Sequence, residues 1–377
     1  MSLSPATKLL RDLVALPSVN PAFTTAGDPF SGEKRVAHYL SATAARAGLD
    51  IEFQEVFPQR SNLLARLTPR GPVKQRVLLA PHMDTVGGDK RLFNPMIKNG
   101  RLHGRGACDT KGSVAAMLTA LCRIASGRKR PAQTEIVFAG LVDEENGQCG
   151  SRALVCRGFR ADLAIVGEPT RLKVITAHKG DLWLRLETTG KAAHGARPEL
   201  GINAVHKMAK VVDALETAYA TQLRRKRHPL LGRHTVNVGS IRGGTQANIV
   251  PDKCSILIDR RTLPGETEAT VRKDLASLFR RHKIQATVFD TKGALCLALE
   301  TDPRLPLARQ FMQSVGQKKP LGVDFFCDAS VLAHGGTPSV VFGPGDIAQA
   351  HTVDEWVSLS SLERATDMLT RFLQSLP

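Results

Sequence analysis

The sequence predicts an α/β fold: a large domain with a mainly parallel sheet covered by helices on both faces, interrupted by a smaller inserted domain. Three observations predict it. Short apolar runs alternate with helical patterns over the first 177 residues, which is the grammar of a parallel sheet. From His178 that grammar gives way to strand, helix, strand, strand, helix, strand. After about residue 292 the first pattern returns. The predicted division is 1–177 and 292–377 for the two parts of the large domain and 178–291 for the insert.

Taken in order, Ser4 is an N-cap and Pro5 suits the first helical position, with Leu9, Leu10, Leu13 and Val14 as the apolar stripe of a first helix. Residues 33–48 repeat apolar side chains at helical spacing and stop at Gly48. Residues 76–80, 135–142 and 162–166 read as buried strands, and 111–126 and 150–157 as helices. In the insert, 182–188, 235–241, 253–259 and 284–289 are predicted strands, while 201–216 and 266–281 are helices. That β-α-β-β-α-β order is the one of a ferredoxin-like sandwich. A helix at 303–315, a strand at 338–342 and a helix at 360–375 close the chain.

Composition bounds the function. The 377 residues are 42% hydrophobic and 23% charged, an ordinary globular mixture that excludes disordered, collagen-like and coiled-coil classes. No apolar run reaches the ~20 residues of a membrane helix, and Lys8, Arg11 and Asp12 interrupt the N-terminal apolar stretch. The expectation is a cytoplasmic protein with no membrane partner. Seven cysteines, odd in number, scattered and without a C-x-x-C pair, argue against a disulfide framework or a thiolate zinc site and leave buried thiols as the reading. The net charge of +17 raises nucleic acid as a partner. The basic residues are spread along the chain, however, and aromatics make up only 5%, so the stacking surfaces of a nucleic-acid binder are missing. A positive field attracting anionic small molecules is the alternative use of that charge.

Five segments carry chemistry. The first is a strand ending in Pro81-His82-Met83-Asp84. Two residues apart in extended chain, His82 and Asp84 share a face, so a metal-binding imidazole with an orienting carboxylate is available; a strand-end histidine beside a solvated turn acid is the other reading. The second, Gly104-Arg105-Gly106-Ala107-Cys108-Asp109-Thr110-Lys111-Gly112, is no nucleotide loop, because Asp109 stands where a dinucleotide fingerprint needs glycine. It offers Asp109 either as a helix cap or as a carboxylate able to bridge two metal ions. The third, Asp143-Glu144-Glu145-Asn146-Gly147, sets three acids side by side after a strand, a repulsion that a cation relieves; a solvated acidic turn closed by Asn-Gly is the other reading. One acid can bind metal and its neighbour serve as general base. Glu168 follows another strand, and Gly343-Pro344-Gly345 leads through a loop to His351; taken singly, they also read as a surface acid and a capping or core histidine. Together these strand-end groups suit a two-metal hydrolytic site with mixed nitrogen and oxygen ligands.

With these five segments in this order, the chain resembles the di-zinc amidohydrolases and metallopeptidases that include acetylornithine deacetylase, succinyl-diaminopimelate desuccinylase, aminoacylase and carboxypeptidase G. Residues 104–112 and 343–355 look most like the first two. The resemblance implies His82, Asp109 and Glu168 as ligands of one metal and Asp109, Glu145 and His351 as ligands of the other. Asp84 would orient His82, and Glu144 would be the general base. It further implies that His194 stabilises the oxyanion, in several relatives from the opposite subunit, and that Arg261, Asn248 and the backbone amides of Gly343 and Gly345 hold a substrate carboxylate. The chain departs from the family pattern at Arg260, normally apolar, which leaves open which of Arg260 and Arg261 faces the site. The implied activity is hydrolysis of the amide of an N-acyl amino acid, such as N-acetylornithine, with two divalent ions, zinc foremost and cobalt or manganese as substitutes, in a homodimer formed through the insert. A dipeptidase or carboxypeptidase of the same family is the alternative; a non-catalytic metal scaffold or a nucleic-acid binder is a remoter one.

Overall fold

The computed structural model describes residues 3–291 and 296–377, which form two compact units. The first holds residues up to 176 with 301–321 and 327–377; the second holds 177–300 with 322–326. The predicted return of the large domain at residue 292 falls on 292–295, outside the described residues.

In the first unit four parallel strands lie side by side in the order Thr134–Gly140, Gln75–Pro81, Leu163–Gly167, Ser339–Val341. An antiparallel hairpin, Asp50–Phe57 and Arg60–Leu67, extends the sheet beyond the first of them. Past Gln75-Arg76, Thr134-Glu135 and Ser339 at their starts, the parallel strands are apolar because both their faces are covered. Val77, Leu79, Ile136, Phe138, Leu163, Ile165 and Phe342 join a core with helices Pro5–Val14, Lys34–Arg46, Lys111–Ala125 and Leu359–Gln374. The alternate residues Leu78, Ala80, Val137, Ala139, Ala164 and Val341 point the other way and are equally buried. On that side Ala329–His334 packs on two of the strands and against Cys149–Cys156. The predicted layers are therefore present.

Local chemistry sets the element ends. Ser4 Oγ accepts the Thr7 N–H at 3.1 Å, the expected cap of the first helix. Lys111–Ala125 is buried nearly all round, as a helix wrapped by its neighbours must be. At its start the wholly buried Lys111 ammonium donates to the carbonyls of Leu13 (3.0 Å) and Leu16 (2.7 Å), closing the C-terminal end of the first helix. Burial pushes that ammonium down to about 7.

The second unit is a four-stranded antiparallel sheet ordered Thr235–Gly243, Lys253–Thr262, Gly180–Thr189, Thr287–Asp290. Numbered along the insert this is 2-3-1-4, the order of the predicted sandwich. Its helices pack on one face over Leu184, Leu186, Ile256 and Ile258. The first helix, expected to stop at 216, runs from Ala204–Ala214 through a π turn at Leu215–Tyr219 into Ala220–Arg224. The extra turns bury Tyr219 and Leu223 in the core. All seven cysteines are free, as expected, but not all are buried: Cys156 is exposed and Cys122 and Cys149 are half-buried. Cys156 ends a short surface helix, where the thiol faces away from the sheet's core. No described helix is long and apolar enough to cross a membrane.

Candidate metal centre

The four parallel strands deliver the candidate ligands to one edge of the sheet. His82 follows Gln75–Pro81, Glu144 and Glu145 follow Thr134–Gly140, and Glu168 follows Leu163–Gly167 directly. His351 is carried by the loop after Ser339–Val341. This is the carboxyl-end edge where open α/β sheets bind ligands. Asp109 arrives on the loop before Lys111–Ala125, whose position is fixed by Thr110 Oγ1 donating to the Gly167 carbonyl at 2.9 Å.

The result is two three-residue groups sharing one member: His82, Asp109 and Glu168, and Asp109, Glu145 and His351. Within each group the ligand atoms lie within 4.8 Å of one another. His82 Nε2 is 3.2 Å from Asp109 Oδ1 and 3.8 Å from Glu168 Oε1. His351 Nε2 is 3.3 Å from Asp109 Oδ2 and 3.1 Å from Glu145 Oε2. Asp109 thus presents one oxygen to each histidine. His82 Nδ1 meets the backbone carbonyl of Asp84 at 3.0 Å and its carboxylate at 3.4 Å, so Asp84 fixes the ring through both groups. The Asp84 carboxylate also accepts the backbone N–H groups of Glu144 and Glu145, each at 3.1 Å.

The electrostatics are those of anions crowded away from water. Burial, reinforced by neighbouring carboxylates, holds the Glu144 and Glu168 carboxyls well above the usual carboxylate range, although His82 opposes it. Burial acts to lower His82, but its contacts with Asp109 and Asp84 prevail and raise it well above an ordinary imidazole. His351 is pushed up to about 10 by hydrogen bonds to Asp109 and Glu145. The donor set fits divalent cations: two imidazoles and three carboxylates, with more acid than the histidines balance. Among the described residues Glu145 Oε1 is buried without a hydrogen-bond partner, a candidate ligand atom with its lone pairs free. The residues that would hold the ions are His82, Asp109, Glu168, Glu145 and His351.

The remaining predicted residues divide between the units. Gly343 and Gly345 lie in the first. The Gly343 N–H is already taken by Thr170 Oγ1 at 3.1 Å, and the Gly345 N–H faces Ser361 Oγ at 3.5 Å. A side chain at 343 would strike Ser113 Oγ and the Glu168 carbonyl, so glycine there serves close packing beside Glu168. His194, Asn248 and Arg261 lie in the second unit. His194 is exposed, and its Nδ1 accepts the Ala196 N–H at 3.1 Å. The Gly195 N–H donates to the Asn248 carbonyl at 2.7 Å, which sets His194 and Asn248 on adjoining loops. The two arginines are distinguished: Arg260 is wholly buried among Tyr219, His234 and Glu266, whereas Arg261 is partly exposed and paired with Asp259 at 2.9 Å.

Four residues outside the sequence reading support the centre. Glu355 braces the Asp109 loop, and Asn20, Glu33 and Arg60 surround the 143–145 turn. Glu355 closes a segment already recognised by its pattern. In the sequence only the turn-forming pair Asn20-Pro21 marks Asn20, and nothing in the periodicity marks Glu33 or Arg60.

Acidic and imidazole side chains gathered at the carboxyl edge of an α/β sheet, in a chain with a βαββαβ insert, define a metallohydrolase. The chain belongs to peptidase family M20/M25/M40, whose profile matches residues 78–375. It is 31% identical over 353 residues to an acetylornithine deacetylase of Myxococcus xanthus, covering 88% of this chain and 90% of that one. An acetylornithine deacetylase of Proteus mirabilis is 30% identical over 386 residues, covering 98% and 96%. Among solved structures, a tripeptidase from Staphylococcus aureus superposes with a TM-score of 0.79 at 21% identity, covering 98% and 97% of the two chains. A dinuclear metal binding peptidase of the M20 family from Bacillus subtilis gives 0.69 at 13%, covering 98% and 96%. These two show the shared fold.

Proposed function

We propose that the protein hydrolyses the amide bond of an N-acyl amino acid, with N-acetylornithine as the leading substrate and the release of ornithine for arginine biosynthesis as its setting. The observation that carries this reading is the pair of ligand groups joined through Asp109, with Glu144 held beside them by Asp84. The acetylornithine deacetylases similar over most of the chain support the N-acyl amino acid as substrate. We propose zinc as the resident ion. Divalent ions bound by the two groups would polarise the scissile carbonyl and acidify a water molecule.

Glu144 takes the water's proton on its carboxylate and hands it to the departing amine. Asp84 keeps the Glu144 backbone in place while it does so. His194 donates from Nε2 to the developing oxyanion; its Nδ1 already accepts a backbone N–H, which leaves the proton on Nε2. Arg261 and Asn248 bind the α-carboxylate, the guanidinium plane matching a carboxylate's two oxygens. Gly343 and Gly345 contribute the tight turn beside Glu168; their amides, like the Arg261 N–H groups that face Asp259, exchange their present partners for the substrate carboxylate in this reading. The insert, residues 178–291, serves as lid and dimerisation domain. The test is a hydrolysis screen of N-acetyl, N-succinyl and dipeptide substrates with zinc, cobalt or manganese. Turnover confined to dipeptides would replace this reading with a peptidase.

A further inference from the structure

Asn20 lies on no predicted element, is 1% exposed, and reaches the centre from a strap laid along the His82 strand. Ser18 Oγ donates to the Met83 carbonyl at 2.7 Å, the Thr85 N–H to the Ser18 carbonyl at 3.0 Å and the Asn20 N–H to the Thr85 carbonyl at 2.9 Å. The strap is therefore registered on both sides of Asp84, by the Ser18 hydroxyl at Met83 and by two backbone bonds at Thr85. From it the Asn20 carboxamide nitrogen donates to Asp84 Oδ2 at 2.8 Å and to Asp143 Oδ1 at 3.0 Å. Its carbonyl oxygen accepts the Ala22 N–H at 3.0 Å, which fixes the orientation of the amide.

The two acceptors matter for different reasons. Asp84 holds His82 and both amides of Glu144 and Glu145. Asp143 opens the turn that carries those glutamates, in a left-handed conformation with φ 68°. Asp143 is also held by Glu33, which accepts its N–H at 3.2 Å, by Arg60, which donates to it at 3.3 Å and to Glu33 at 2.6 Å, and by the Gly147 and Gln148 N–H groups, which donate to its carbonyl. Asp84 and Asp143 are both buried, and an oxygen of each lies within 3.0 Å of one nitrogen, so without a donor between them two carboxylates would face each other in low dielectric. Asparagine alone among small residues offers two N–H groups from one atom with no charge of its own.

We propose that Asn20 is a positioning residue, its carboxamide bridging Asp84 and Asp143 and thereby setting where Glu144 and Glu145 stand. Its effect on turnover rests on the hydrolase reading above; its effect on ion binding does not. The test compares Asn20→Asp and Asn20→Ala with the wild type, measuring zinc affinity by competition with a chromophoric chelator, kcat and KM on N-acetylornithine, and the thermal midpoint of the metal-free proteins. Second-layer groups of this kind are worth ~10–100-fold in metal affinity or activity. The expected result is a loss of about that size in affinity and kcat, with KM nearly unchanged and Asn20→Asp worse than Asn20→Ala. A space-filling role reverses that order, since aspartate keeps the shape that alanine loses. Wild-type-like zinc affinity in Asn20→Asp, a loss in KM with kcat kept, or failure of both variants to fold would each overturn the proposal. If the wild type turns over none of the substrates, the hydrolase reading fails while the affinity comparison still decides the role of Asn20.

Discussion

Glu355 receives the backbone N–H of Asp109 at 3.0 Å, joining residues 246 positions apart in the chain. The same carboxylate accepts the N–H groups of Cys108 (2.8 Å) and Gly106 (3.0 Å) and pairs with buried Arg105 at 2.8 Å. One side chain thus satisfies the backbone of the loop that carries Asp109, the member common to both candidate ligand groups. Replacing it leaves three amides without an acceptor and strips a buried guanidinium of its carboxylate, leaving it only its bond to the Gly87 carbonyl, a defect that costs ~3–5 kcal/mol where buried pairs are broken. Glu355→Ala is expected to lower the urea midpoint of the metal-free protein accordingly and to weaken binding at both ion positions, because Asp109 belongs to both. Unchanged stability and stoichiometry would remove Glu355 from this role.

His351 gives the pH dependence. In the unfolded chain its imidazole titrates near ~6.5; folded, with Asp109 and Glu145 beside it, it holds its proton up to about 10. The folded state therefore binds the extra proton between those values. Its stabilising contribution to the metal-free protein is complete below pH ~6.5 and lost as pH rises toward 10. A protonated imidazole cannot ligate, so metal affinity should rise through the same window. Calorimetric titration of zinc into the metal-free protein near pH 7, in buffers of differing ionisation enthalpy, should report proton release. No release, or a metal-free thermal midpoint that climbs from pH 7 to 9, would contradict the assignment.

Among the described residues, the insert's sheet ends on Thr235–Gly243, a strand with a partner on one side only. Open edges invite pairing, and a second copy of the chain is the partner we propose. If His194 acts across such a dimer, mixing Glu144→Gln with His194→Ala under subunit exchange restores one complete site per heterodimer. Activity should then approach half that of the wild-type dimer. Proven exchange with no recovery would assign His194 to its own chain's site or to none.

Much of this was legible in the sequence because apolar runs buried on both faces leave little choice but parallel strands, and the acids and histidines that follow them fall at the same sheet edge. His82, Glu145, Glu168 and His351 each stand shortly after a strand that could be read. The hairpin Asp50–Phe57 and Arg60–Leu67 could not be: Glu52, Glu55, Arg60 and Arg66 break its pattern, since its outer strand is largely exposed while its inner one is covered. The layer behind the ligands was equally hidden. Asn20, Glu33 and Arg60 act through hydrogen bonds between segments far apart in sequence, and no periodicity records such a bond. Arg260 shows the reverse case, a departure from the family pattern that becomes intelligible once Glu266 and Tyr219 are found around it.

The central claim, that the two ligand groups hold ions which serve Glu144 in amide hydrolysis, is tested most directly by turnover of N-acetylornithine against bound metal. The protein is stripped with chelator, checked by elemental analysis and reloaded stepwise with zinc, with Glu144→Gln run in parallel. The account predicts that stripped protein is inactive yet folded, that activity returns as up to two ions bind, and that Glu144→Gln binds the same number while losing ~10²–10⁴-fold in turnover. Full activity in protein shown to be free of metal would contradict it.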